Sequence, residues 1–169
     1  GCFDAVTGER IWETVYPLGG MTFFHSKSCL INSTLAINGD ALVAVGGSGR
    51  VYCLDSKTGE QRWQVLLPYN EDVTRRYALS GEGAGGRARP HAVTIVEGRA
   101  YVADESRGLI ALDLKTGRQV WHRRSVLGAQ VTPQLWRDEQ VVLLLTQDDA
   151  GTVHALDPTT GDDRWLIEH

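Results

Sequence analysis

The chain has 169 residues, of which 42% are hydrophobic and 22% charged, a composition typical of a globular domain with a real core and unlike that of a disordered segment. Its net charge of −4 lacks the surplus of Lys and Arg that binding to nucleic acid or to an anionic membrane surface requires. No apolar run approaches the roughly 18 residues of a membrane helix, so we expect neither a nucleic-acid partner nor direct insertion into a membrane.

One short segment occurs four times along the chain. Its copies are GCFDAVTGERIW (1–12), VYCLDSKTGEQRW (51–63), IALDLKTGRQVW (110–121) and HALDPTTGDDRW (154–165). The four tryptophans that end these copies are separated by 51, 58 and 44 residues. Periods of this size are typical of propeller blades or stacked units. Because the shortest interval represents the bare repeat, the two longer intervals place insertions at residues 18–31 and 68–90.

In chain order, the repeat units consist of predicted β-strands separated by tight turns. Residues 1–17 supply only the outer strands of a partial blade, because the first copy of the segment begins inside its third strand. Residues 32–67 form the next blade, in which Asn38-Gly39 is a strong signal for a two-residue hairpin turn.

Two further complete blades are predicted at residues 91–126 and 130–169. The first has a turn at Glu97-Gly98, and the second begins with a strand at residues 130–136. No segment shows the sustained 3.6-residue apolar period of a capped helix. The sequence therefore predicts an all-β fold of four-stranded antiparallel blades, with about three and a half blades present.

The repeated segment has a local physical explanation. Its Asp ends a strand and is expected to accept hydrogen bonds from the backbone amides of the next turn, while its Gly supplies the positive φ that the turn requires. Its Trp should begin the outer strand and, with about 200 Å² of surface, must be buried against the neighbouring unit. Small residues at Cys2, Cys53, Ala111 and Ala155 would leave room for the ring. The residues of this docking motif are Asp4, Thr7, Gly8, Trp12, Asp55, Thr58, Gly59, Trp63, Asp113, Thr116, Gly117, Trp121, Asp157, Thr160, Gly161 and Trp165.

This pattern resembles the pyrroloquinoline-quinone-type repeat, or tryptophan-docking motif, A-x-D-x-x-T-G-x-x-x-W. The third and fourth copies match it at every named position, and the first two copies have Cys in place of Ala. The resemblance implies a β-propeller, of which this chain would be a segment of a seven- or eight-bladed ring. Its partner would then be the remaining half of the propeller or another protein. The resemblance also favours a periplasmic or extracytoplasmic location.

The enzymatic members of this family hold pyrroloquinoline quinone over calcium, with a disulfide between adjacent cysteines and a catalytic Asp. Here Cys2, Cys29 and Cys53 are far apart, and the Asp residues that align all belong to the docking motif. We therefore expect no catalytic residue, no bound cofactor and no metal site. The favoured function is a protein- or ligand-binding scaffold, similar to BamB-like assembly factors and to the extracytoplasmic sensor regions of some bacterial kinases. The alternatives are part of a quinone-dependent alcohol or sugar dehydrogenase, and a propeller that binds a polysaccharide or a peptide.

The two insertions contain the remaining candidates for binding. The insertion at 68–90 and the residue after it contain a cluster of basic side chains that indicates either a recognition loop or a solvated one. The cluster consists of Arg75, Arg76, Arg87, Arg89 and His91. GEGAGG (81–86) fits the dinucleotide-binding pattern but lacks the strand and helix that the pattern needs, so we interpret it as a loop. His25 and Cys29 are only half of a zinc site, and His154 is expected to pack between blades.

Overall fold

The computed structural model describes residues 1–16, 24–25, 28–29, 34–46, 50–67, 90–104, 108–126, 131–148 and 150–168. Every regular element in these ranges is a β-strand, and none of the described residues forms a helix that could cross a membrane. The strands form three four-stranded sheets and two two-stranded ones, all antiparallel. The predicted all-β fold of four-stranded blades is confirmed.

The first two sheets are small hairpins. The half-blade consists of β1 (Cys2–Phe3) and β2 (Arg10–Trp12), and it pairs Cys2 with Trp12. A second hairpin, β3 (Phe24–His25) and β4 (Ser28–Cys29), lies inside the predicted insertion at residues 18–31.

The three complete blades are meanders in which each strand pairs with the next one along the chain. The second blade consists of β5 (Ala36–Asn38), β6 (Ala41–Val45), β7 (Arg50–Asp55) and β8 (Gln61–Leu66). The third blade consists of β9 (Pro90–Val96), β10 (Arg99–Asp104), β11 (Gly108–Asp113) and β12 (Gln119–Arg123). The fourth blade consists of β13 (Gln134–Arg137), β14 (Val142–Gln147), β15 (Val153–Leu156) and β16 (Asp163–Ile167).

Three details differ from the prediction. The hairpin loop of the second blade is Gly39-Asp40 and not Asn38-Gly39, because Asn38 still pairs with Ala41 and Gly39 takes the positive φ at the first loop position that a type II′ turn requires. β13 begins at Gln134, directly after Pro133, which has no N–H to donate to a sheet. In the complete blades the outer strand begins two residues before the tryptophan and not at it.

The apolar core lies in the seams between consecutive units. The largest cluster joins one face of the second blade, including Val43, Cys53 and Trp63, to the facing side of the third, including Val102 and Ile110. Successive side chains of a strand point to opposite faces of the sheet. In each blade, one set of alternate residues therefore faces the preceding unit and the other set faces the following unit. Each complete blade is therefore built to be covered on both faces.

Candidate functional site

The Asp of each repeated segment organises its own turn. In the first copy, the amides of Val6 and Thr7 donate to Oδ1 of Asp4 at 2.9 and 2.8 Å, and the amide of Gly8 donates to the Asp4 carbonyl at 2.9 Å. The other three copies repeat this arrangement around Asp55, Asp113 and Asp157. The predicted role of the Asp is confirmed.

The Thr of the motif has a role that sequence reasoning did not assign. Its hydroxyl oxygen accepts a hydrogen bond from the amide of the residue that follows the Gly, at 3.2 or 3.3 Å in every copy. A threonine at this place therefore closes the end of the turn that the Asp begins.

Two arginines strengthen the turns of the second and fourth blades. Between the motif Asp and Trp the sheet contains a β-bulge, which leaves the residue before the Trp as the extra one. That residue is Arg62 or Arg164, and its guanidinium donates to the second carboxylate oxygen of Asp55 at 2.7 Å or of Asp157 at 2.6 Å. The Arg-Trp dipeptide in these two copies was the sequence signal for this pair. The hydrogen bonds from Arg62 and then from the turn amides lower the pKa of Asp55 to about 2.

Three of the four tryptophans dock onto the next unit through a hydrogen bond. The indole Nε1 of Trp12 donates to the carbonyl of Ser56 at 3.1 Å, that of Trp63 to Leu114 at 2.8 Å, and that of Trp121 to Pro158 at 3.1 Å. Each acceptor is the residue directly after the motif Asp of the following unit. Each of these tryptophans is thus bound to the turn of the following unit. The tryptophan and that turn together form the seam between the two units.

The glycine of the motif is needed for space as well as for conformation. A Cβ atom placed on Gly59, Gly117 or Gly161 would lie within 2.5 to 2.7 Å of the tryptophan ring of the preceding unit. All four motif glycines have φ between +71° and +79°, but a Cβ on Gly8 would meet nothing within 4 Å. Gly8 has the same backbone shape as the others without a ring against it.

The small residues of the motif are the cross-strand neighbours of the tryptophans. Cys2, Cys53, Ala111 and Ala155 pair directly with Trp12, Trp63, Trp121 and Trp165. Cys53, Ala111 and Ala155 are fully buried, and neither Cys2 nor Cys53 forms a disulfide. The prediction that these positions hold small residues to make room for the ring agrees with this register.

Polar groups reinforce the seam between the third and fourth blades. Arg123 of the third blade donates to the carbonyl of Gly161 at 2.6 Å and to the carboxylate of Asp163 at 2.5 Å. Burial opposes ionisation of Asp163, but the hydrogen bonds from Arg123 and from His154 outweigh it and keep the pKa of this carboxyl below its usual value. The ring of His154 is buried, with Nδ1 2.8 Å from Asp163 and Nε2 3.4 Å from Asp148. Both partners of His154 lie in its own blade, and Asp163 connects it to Arg123 of the third blade.

The fourth tryptophan departs from the prediction that every motif tryptophan is buried. Trp165 is 45% exposed, against 9% for Trp63 and for Trp121, because among the described residues no unit packs on that face of the fourth blade. Trp136, also exposed, lies on the same face, and both line an open cavity of about 720 Å³ together with Val141, Leu143 and Arg164.

Most of the predicted binding residues lie beyond what the structure describes. Arg75, Arg76, Arg87 and Arg89 are outside the described residues, as are 81–86, and His91 lies in β9 and not in the insertion itself. His25 and Cys29 lie in β3 and β4 but are not paired with each other. His25 pairs with Ser28, and Cys29 pairs with Phe24. Within the described ranges, no three His, Cys, Asp or Glu side chains come together in a way that could hold a metal ion.

The cofactor of the enzymatic relatives can be tested against the motif carboxylates. Calcium takes about six to eight oxygen ligands that converge on the ion. The motif carboxylates instead lie in four separate turns, at Asp4, Asp55, Asp113 and Asp157, and among the described residues no three His, Cys, Asp or Glu side chains come together around one point. These four residues do not fit the group.

Comparison with known proteins gives matches of three kinds. A family model described as outer membrane protein assembly factor BamB matches residues 1–168. The chain is 27% identical over 169 residues to the serine/threonine-protein kinase AfsK of Streptomyces griseus, which covers 98% of this chain and 18% of the kinase. It is also 27% identical over 157 residues to the quinoprotein ethanol dehydrogenase of Pseudomonas putida, which covers 79% of this chain and 22% of the enzyme. The crystal structure of BamB from Moraxella catarrhalis matches with a TM-score of 0.58 and 23% identity over 86% of this chain and 38% of that one.

The chain thus spans well under half the length of each of these proteins. The family match covers nearly every residue, and the docking motif, the meander topology and the seams all agree with it. The chain belongs to the BamB-type family of pyrroloquinoline-quinone-like repeat propellers.

Proposed function

We propose that this chain is a non-catalytic scaffold, a rigid stack of blades that holds loops and exposed faces in place for a protein partner. The main observation in its support is that the polar side chains of the repeated motif already form hydrogen bonds within the stack. The motif aspartates bind their own turn amides, and Trp12, Trp63 and Trp121 donate to the neighbouring turn. Such groups stabilise the platform and leave recognition to residues outside the motif.

The related proteins support this function. The family model is described as an outer membrane protein assembly factor, and one relative is named as a serine/threonine-protein kinase. Both names describe proteins that act on or together with other proteins. The seams keep blades rigid, and binding residues occur mostly on loops that a rigid scaffold positions. The insertion at 68–90, with Arg75, Arg76, Arg87 and Arg89, is the proposed contact.

The alternative function is a part of a quinone-dependent dehydrogenase. Its support is the 27% identity to the quinoprotein ethanol dehydrogenase. In that case ligands for pyrroloquinoline quinone and calcium would come from residues other than the motif aspartates. No cofactor is part of the scaffold proposal.

Site-specific photocrosslinking tests the proposed contact in the cells from which the protein comes. A photoreactive residue is placed at Arg76 or at Arg87, and the matched control is the same residue at Val120, an exposed position on the outer strand of the third blade. We expect a discrete protein adduct from the insertion positions and none from Val120. Equal labelling at all three positions, or no adduct at any of them, would refute the contact.

A second assay distinguishes the scaffold from the dehydrogenase. Pyrroloquinoline quinone and calcium are added to the protein, and tryptophan emission is followed together with dye reduction in the presence of an alcohol or a sugar. We expect no stoichiometric quench and no turnover. A tight quench accompanied by substrate-dependent dye reduction would replace the scaffold with the enzyme.

A further inference from the structure

The fourth blade contains a buried histidine with a carboxylate at each nitrogen of its ring. His154 is 7% exposed, its Nδ1 lies 2.8 Å from Oδ1 of Asp163, and its Nε2 lies 3.4 Å from Oδ2 of Asp148. His154 belongs to β15, Asp163 is the first residue of β16, and Asp148 directly follows β14. The meander of the blade thus brings one imidazole and two acidic side chains together from three separate parts of the chain.

This group is not part of the repeated motif. In every complete blade, the residue at the place of His154 directly precedes the small residue that pairs with the motif tryptophan, and the residue at the place of Asp163 begins the pairing of the outer strand. The residues at these two places in the other complete blades are Tyr52 and Gln61 in the second and Ile110 and Gln119 in the third. The seams that all units share therefore do not require the histidine or the carboxylate.

The two contacts of the ring are not equivalent. A neutral imidazole carries one N–H and can donate to only one of the two carboxylates. The 2.8 Å contact between Nδ1 and Asp163 is a hydrogen bond of normal length, whereas the 3.4 Å between Nε2 and Asp148 exceeds the roughly 2.7–2.9 Å of a charge-assisted bond from nitrogen to carboxylate. This geometry fits a ring with one proton, on Nδ1, whose Nε2 faces Asp148 without a proton.

The groups around the ring come from both blades of the seam. Its cross-strand neighbours are Thr146 and Leu166, which carry no charge. From the third blade, Arg123 on β12 donates to Oδ2 of Asp163, the oxygen that the ring does not use. Asp149 lies outside the described residues. The contacts of the ring and of Arg123 on Asp163 are therefore made to different oxygens.

Both carboxylates remain ionised where histidine ordinarily titrates. Burial opposes their ionisation, but hydrogen bonds, chiefly from the Thr152 amide to Asp148 and from Arg123 to Asp163, outweigh it, so the pKa of each carboxyl lies below its usual 3.8. Histidine is the side chain that ordinarily changes charge between about pH 5 and 8. In that range the imidazole is thus a ring that can take up a proton between two anions.

We propose that His154 is a proton-dependent link between the seam and the turn that joins β14 to β15. When Nε2 gains a proton, the ring donates to both carboxylates, and Asp148 moves toward it to about 2.7–2.9 Å. The bond from Nδ1 to Asp163 is kept in both states, so the contact with the third blade is unchanged.

The turn moves because its own geometry depends on Asp148. Oδ1 of Asp148 accepts the amides of Ala150 and Thr152, both at 2.9 Å, while Oδ2 faces the ring. A shift of the carboxylate is therefore passed to these amides, and Ala150 lies on the surface. The shape of a surface turn of the fourth blade then depends on pH, and this holds whether or not the chain acts as a scaffold.

Nuclear magnetic resonance of the nitrogen-15-labelled chain between about pH 4 and 9 tests the link without any substitution. The ring nitrogens of His154 report which atom carries each proton, and the amide signals of Ala150 and Thr152 report the turn. We expect Nδ1 to stay protonated, Nε2 to gain a proton as the pH falls, and the two amides to shift with the same midpoint as the ring.

Three variants separate the hydrogen bond from the nearby charge. His154→Gln should remove the response of the turn amides. Asp148→Asn keeps a side-chain oxygen for the turn but lacks the anion, so the ring should still titrate while the turn amides lose most of their shift. The matched control, His122→Gln, removes a histidine on β12 of the third blade and should leave the response unchanged. Circular dichroism checks that every variant is folded, and the wild-type titration decides by itself for one that is not.

The proposal has four refuting outcomes. The ring keeps one protonation state over the whole range, or it gains its second proton on Nδ1. The turn amides titrate with a midpoint different from that of His154, or their full shift survives Asp148→Asn. Any one of these results would overturn the proton-dependent link.

Discussion

Gly117→Ala separates the two reasons for a glycine in the docking motif. Gly117 has a φ of +71°, and a Cβ there would lie 2.7 and 2.8 Å from two atoms of the Trp63 ring. The ring has little freedom to move away, because it is 9% exposed and its Nε1 is held 2.8 Å from the Leu114 carbonyl. The substitution therefore adds both backbone strain and overpacking.

The expected loss follows from these two contributions. A side chain in the left-handed region costs about 1–2 kcal/mol. Forcing one extra carbon into a closed seam costs about 1–3 kcal/mol. We expect Gly117→Ala to lower the free energy of unfolding by about 2–5 kcal/mol.

Gly8→Ala is the matched control, because Gly8 has the same place in the motif and a φ of +73° but nothing within 4 Å of the added carbon. It should cost only the backbone contribution, about 1–2 kcal/mol. Urea denaturation followed by circular dichroism measures both. Adding Trp63→Ala to Gly117→Ala should bring the cost of the alanine down to that of the control. Equal losses for the two glycines, with no coupling to Trp63, would refute the account of the seam.

Two other predictions concern the same motif. Trp121→Ala should lower the free energy of unfolding by about 3–5 kcal/mol, as for an aromatic removed from a core. Trp165→Ala should lower it by less, because 45% of the Trp165 surface is already exposed, and similar urea midpoints for the two variants would contradict this. Because the pKa of Asp55 is lowered from 3.8 to about 2, its ionised form stabilises the fold above the unfolded pKa, and this contribution is lost as the pH falls from about 4 toward 2. Asp55→Asn should therefore flatten the pH dependence of unfolding in that window relative to the wild type. An unchanged profile for this variant would count against the network with Arg62.

The parts of the fold that could be predicted from the sequence are those decided within a few residues. The Asp-to-Gly turn depends on contacts between residues at most five apart, so its hydrogen bonds and its positive φ follow from the motif alone. The fourfold repetition then determines the number of units and their strand order. The shift of the hairpin loop to Gly39-Asp40 was not visible, because the choice between two adjacent loop positions depends on how the apolar residues of β5 and β6 face the seams.

The parts that could not be predicted depend on contacts between units. The motif of the fourth copy is complete, so nothing in its residues distinguishes an exposed Trp165 from a buried Trp121; the difference lies in what packs against the face. Likewise, Arg123 and Asp163 are 40 residues apart and meet only because the third and fourth blades stack. Local patterns carry no information about such a pair, since charged residues on outer strands usually face solvent.

The repetition between blades is not complete at every register position. A side chain that recurs in every unit serves the seams common to all units, as the turn aspartates and the docked tryptophans do. Trp136 breaks the pattern: by register it occupies the place that Val96 has in the third blade, yet it is an exposed indole where Val96 is a buried aliphatic side chain. The added ring enlarges the apolar face around Trp165 beyond what docking of the internal blades uses. At this register position the fourth blade therefore departs from the third by a larger apolar side chain.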